Sequence, residues 1–119
     1  MRPSVVILAM ALILHACQSL DLSGQQRFER HSMSNLKTDP NGDEGVFIFE
    51  AKISAQYPAD SPSAESVRMS WAEEWLEFRS LCPDGFEVLS RRPYEASDYN
   101  PNRYALRYEL GCIFPPVEG

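Results

Sequence analysis

The 119-residue sequence is poor in the groups that most chemistry needs: it has two histidines and three cysteines. His15 follows an N-terminal apolar run, and His31 sits in a polar stretch with no nucleophile in view, so no base–nucleophile pair can be built around either. The chain has no GxSxG, no HExxH, no glycine loop for phosphate and no cluster with metal-ligand spacing. The expectation is a protein that is not an enzyme and carries no metal and no cofactor. Basic charge is also scarce, with 11 Lys plus Arg against 17 Asp plus Glu, a net charge of −6. Arg2 is the single basic residue before Cys17, so the remainder has a balance of −7. An acidic body disfavours nucleic acid as a partner, because phosphate attraction needs clustered Lys and Arg. It also disfavours lying flat on anionic lipid and favours a cationic partner, although the same charge serves simply to keep a small domain soluble. Long apolar runs are missing as well. The longest, Ser4–Leu14, is eleven uncharged residues. As a helix at ~1.5 Å per residue it spans about 17 Å, against about 30 Å of bilayer hydrocarbon.

Such a run has the length of a signal-peptide core, and Met1-Arg2-Pro3 before it supplies the short positive start. The junction Leu14-His15-Ala16-Cys17 resembles the lipobox of bacterial lipoproteins. Leu14, Ala16 and Cys17 match the motif; His15 stands where the class usually carries a small or aliphatic residue. The resemblance implies diacylglycerol on the Cys17 thiol, cleavage before Cys17 and, often, acylation of the new amine. Two or three acyl chains make a stable anchor where one is marginal. Gln18 in place of Asp implies the outer membrane, facing the periplasm. The rival reading of the same residues is an ordinary secretory signal cut after Ala16, which leaves Cys17 as a spare thiol. The resemblance ends at residue 18.

With Cys17 assigned to lipid, Cys82 and Cys112 remain, and an even remainder in an exported chain suggests a disulfide. Residues 18–45 are polar, with aperiodic apolar residues, and read as a tether. Their stretch from Arg27 to Leu36 could add an edge strand. The expected organisation is a signal peptide over 1–16, a lipidated N-terminus and tether over 17–44, and a folded domain over 45–119. Within that domain Val46–Ser54 alternates with period two and reads as a strand. Ser61-Pro62 reads as an N-cap and first helical position, opening a helix to about Leu81. Ala64, Val67, Trp71, Trp75, Phe78 and Cys82 form its apolar stripe, with Glu65, Glu73 and Glu77 pointing away. Phe86–Arg92 and Arg103–Phe114 are two further strands, expected to pair as an antiparallel hairpin. The fold class is therefore α+β: a two-layer β-α-β-β domain with one helix on a three-stranded sheet, extended to four if the tether contributes. The hairpin brings the start of the second strand beside the end of the third, so Cys82 and Cys112 meet.

Among side-chain groupings, Trp71 and Trp75 read as core rather than as a ligand platform. Glu73, Glu74 and Glu77 read as a solvated face. Arg91, Arg92, Arg103 and Arg107 gather on the hairpin, with Arg91 and Arg107 expected together on the sheet face away from the helix, either as an anion site or paired with Glu50, Glu87, Glu95 and Glu109. Tyr94, Tyr99 and Tyr104 surround the long hairpin loop, where exposed Tyr and Asn are typical of contact surfaces. Tyr94, Tyr99, Tyr104, Arg91 and Arg107 are thus the candidate partner contacts. The functional expectation is a membrane-anchored envelope lipoprotein that binds an envelope protein or polymer without catalysis. The alternative is an inhibitor or immunity-type lipoprotein that neutralises a cationic enzyme such as a lysozyme.

Overall fold

The computed structural model of the chain describes Gly24 and residues 27–116. The expected signal peptide, Cys17 and the first part of the expected tether lie outside the described residues. The chain divides into two units, Met1–Ser32 and Met33–Gly119. Residues 27–33 are helical (α1). The second unit holds four strands and one long helix: β1 (Ser34–Thr38), β2 (Val46–Ala51), α2 (Pro62–Phe78), β3 (Phe86–Pro93) and β4 (Leu106–Cys112). All strand pairs are antiparallel, in the order β1-β2-β4-β3. The fold is α+β with the fourth strand present.

That fourth strand moves the expected domain boundary. β1 pairs with β2 along its whole length, from Ser34 opposite Ala51 to Thr38 opposite Phe47. Gly45 therefore lies at the end of a hairpin turn, not at the start of the domain. The turn is built as the sequence suggests, with Asp39 accepting from the backbone of Asn41 and Gly42. Gly45 has φ +79, and a side chain there would meet the Phe114 ring 2.9 Å away. A stretch as polar as SNLKT hides its role because only Ser34 and Leu36 face inward.

Alternation sorts the sheet into two faces. Phe47, Phe49 and Ala51 of β2 stand opposite Leu110, Tyr108 and Leu106 of β4 and face α2. Helix α2 starts at a Ser61 N-cap whose hydroxyl accepts from the Ala64 N–H, with Pro62 next. Trp71 and Trp75 are 2% and 6% exposed. Each buries ~150–250 Å², and Trp75 also donates its indole N–H to Ser34 at 3.0 Å. The buried stripe is Ala64, Arg68, Trp71, Ala72, Trp75 and Leu76. It is rotated from the expected one: Phe78 is exposed and Arg68 is wholly buried.

The helix stops at Phe78, short of Leu81, because Ser80 adopts φ 56. Its N–H reaches the Glu77 carbonyl, and the Leu81 N–H reaches back to Leu76 at 2.8 Å. These two bonds are a Schellman closure, which takes a left-handed residue just past the helix end. Cys82 follows and is bonded to Cys112, with Cα atoms 4.8 Å apart, as the hairpin geometry requires.

Candidate functional site

The site is best built from Glu50, a charge in the middle of β2. Its neighbours across the sheet are Asn35 on β1 and Arg107 on β4, so it lies on the face away from α2. It is nonetheless 4% exposed. A buried carboxylate needs donors, and three converge on it. Asn35 donates its amide at 3.1 Å, the Tyr94 hydroxyl donates to the second oxygen, and the Lys37 ammonium lies 3.4 Å away. Burial first, and then the bond to Glu50, raise the Tyr94 phenol well above its ordinary range.

Tyr94 begins the loop from β3 to β4, and that loop is pinned along its length. The Tyr94 N–H bonds the Ala105 carbonyl at 2.9 Å. Arg92 grips Asp98 with both terminal nitrogens, at 2.8 and 3.1 Å. Asp98 also accepts from the Glu95 N–H. The Arg92 fork, followed by that N–H, lowers the Asp98 carboxyl to about 2. Asn100 bonds both the N–H and the carbonyl of Tyr104. Tyr104 has its phenol raised by burial and then by Glu50, and Lys52 lies 5.7 Å above its ring. The loop tip presents Tyr99, 84% exposed. Between tip and sheet is a pocket of about 160 Å³, lined by Asn35, Lys37, Glu50, Tyr99 and Tyr104 among others. The arrangement offers an aromatic face, an ammonium and amide groups at a small polar recess, held without a free loop end.

Of the five candidate contacts, Tyr94, Tyr99 and Tyr104 come together here. Arg107 shares their face but is engaged with Glu109 at 3.2 Å and Asp39 at 3.8 Å. Arg91 is elsewhere. Strand β3 carries a bulge: Val88 stands opposite Leu110 and Ser90 opposite Glu109, so Leu89 is an extra residue. One extra residue reverses the alternation that follows it, and Arg91 turns to the α2 face opposite Tyr108. The expectation that Arg91 and Arg107 share the outer face is overturned for this reason. The expected pairing is replaced for Arg91 and Arg92, while Arg107 keeps Glu109, a neighbour on its own strand. Arg91 bonds Glu65 of α2 at 2.9 Å and the Ala59 carbonyl at 2.7 Å, and Arg92 takes Asp98.

Around Arg91 lies a cluster that the sequence reading missed. Arg68, fully buried, donates to the Tyr108 hydroxyl and to the carbonyls of Tyr57, Pro58 and Ala59. Tyr108 in turn donates to Glu65 at 2.5 Å. Burial first, then Glu65, raise the Tyr108 phenol. Both guanidinium groups hold the 57–59 segment on the helix through its carbonyls. Glu65, expected to point into solvent, is part of this clamp. Arg68 was findable: it stands four after Ala64 and three before Trp71, on the stripe itself. Glu50 carried no such signal, since alternation marks it as a wet position.

Comparison with family models, with curated proteins and with solved structures returned no match to this chain.

Proposed function

We propose that the chain is a membrane-anchored lipoprotein of the bacterial cell envelope whose folded domain is a non-catalytic binding module. The observation that carries the binding role is Tyr99, 84% exposed on a loop fixed by Arg92–Asp98 and Asn100–Tyr104. A large amphipathic side chain on a pre-ordered loop loses little entropy on contact, which is how such residues come to dominate interfaces. The Cys82–Cys112 bond supports export, since such bonds persist in oxidising compartments. The lipobox-like Leu14-His15-Ala16-Cys17 supports the anchor, and the outer membrane facing the periplasm is the location it implies. The partner is an envelope protein or polymer.

A photo-crosslinking residue in place of Tyr99, in the full chain expressed in cells, tests the reading. A discrete adduct is expected at position 99 and not at Ala55, which is exposed on another loop. Equal adducts at both positions, or none at position 99, sink the contact role. Cys17→Ser in the same cells should move the protein out of the membrane fraction, and retention there would sink the lipid anchor.

The second reading, an inhibitor of a cationic enzyme, is favoured by the net charge of −6 and by the exposed Glu73 and Glu77 of α2.

A further inference from the structure

A groove of about 680 Å³ lies between the C-terminal half of α2 and the start of β3. Its apolar lining is Leu76, Leu81, Cys82 and Phe86, and Glu73 and Glu77 stand on it as exposed carboxylates. The groove exists because the chain leaves the helix early. Ser80 turns left-handed, Leu81 folds back to Leu76, and the disulfide holds the turn against the end of β4. Pro83 and Gly85 then carry the chain to β3 without a side chain long enough to fill the gap.

The charges on this groove work against the helix that bears them. Glu73 and Glu77 are four apart, so they repel across one turn. Both lie towards the helix C-terminus, the negative end of the helix dipole. The last turn of α2 has no basic residue. Arg79 caps the helix, but its guanidinium bonds the Leu36 carbonyl at 2.6 Å and lies over the Trp75 ring. Neither the Glu73 nor the Glu77 carboxylate has an ion-pair or hydrogen-bond partner among the described residues. A cation placed between them relieves both repulsions at once.

We propose that this groove docks a basic segment of a partner protein, with a Lys or Arg between Glu73 and Glu77 and a neighbouring apolar side chain against Leu81 and Phe86. The proposal rests on the reading of the domain as a binding module and assigns it a second surface, separate from the Tyr99 loop. The acid selects the occupant. A second copy of a chain with net charge −6 would set acid against acid, and nucleic acid or anionic lipid would be repelled.

The test is a titration of full-length ¹⁵N-labelled protein with the peptide acetyl-Arg-Leu-Lys-Leu-Arg-amide. Saturable shifts are expected at the amides of Ser80, Leu81, Gly85 and Phe86, weakening as salt is raised. Glu73→Gln with Glu77→Gln should weaken binding at least tenfold while raising the Tm of the free protein, because the repulsion is gone. The acidic analogue, Glu replacing each basic residue, should not bind, and the Ser-for-Leu analogue should bind more weakly. The proposal is overturned by an unshifted groove, by binding that the double variant leaves intact, by equal binding of the acidic peptide, or by groove shifts that follow protein concentration alone. An inert groove in a protein that still gives the Tyr99 adduct sinks this inference and leaves the binding module. A responsive groove with no Tyr99 adduct does the reverse.

Discussion

The sheet face under α2 is closed by Phe49, Tyr108, Leu110 and the two tryptophans, whereas on the opposite face a polar loop helps to bury Glu50. Under the helix, beside the Arg68–Tyr108–Glu65 clamp, most of the stabilisation is non-directional, proportional to area removed from water. Across the sheet it is directional: Glu50 is bearable in its buried place only while Asn35, Lys37 and Tyr94 point at it. The two faces accordingly do different work. Apolar burial makes the unit stable but fixes no exposed surface. The polar contacts contribute less free energy, yet they set the path of the 94–105 loop and leave Tyr99 outside.

Three changes break or sharpen that contrast. Trp75→Ala should be the most damaging, costing about 3–5 kcal/mol as large aromatics in cores do, read as a fall in the denaturant midpoint. It also strips Ser34 of an indole donor, so β1 should lose amide-exchange protection first. A silent Trp75→Ala would overturn the core assignment.

Glu50→Ala should cost less, about 1–3 kcal/mol, the penalty for stranding buried donors. It has a second readout. Because the Tyr94 phenol is raised in the fold from 10.0, the native state keeps a proton that the unfolded chain gives up. Stability is thus full below about 10 and falls as the pH rises above it. Removing Glu50 should soften that alkaline decline without abolishing it, since burial is the larger cause of the shift. An unchanged pH profile would show that Tyr94 is not tied to Glu50.

Tyr99→Ala should be the mildest, under about 0.5 kcal/mol, as surface changes are. Its chemical midpoint should match the parent while partner capture is lost. Unfolding on this substitution would mean that the loop tip is part of the core.

Much of this contrast was legible in the sequence where local rules act alone. Period-two alternation in VFIFEA and LRYELGC marked the covered face of β2 and β4, the Ser61-Pro62 cap opened the helix where it begins, and the hairpin brought Cys82 to Cys112. The proposed contact loop was legible in part: its three tyrosines, but not Glu50, which anchors Tyr94. Three features were decided by tertiary structure. SNLKT has no strand signal strong enough to stand alone and becomes β1 because β2 offers it a free edge. Arg91 changes face because of a one-residue bulge at Leu89, which has no mark in the alternation of FEVLSRR. Arg68 and Glu50 are buried charges that composition reads as surface. They sit inside because hydrogen-bond partners far away in the chain, Tyr108 for one and Tyr94 for the other, meet them there. Periodicity reports which way a side chain points, but whether a charge survives burial depends on donors and acceptors that only the folded chain brings within reach.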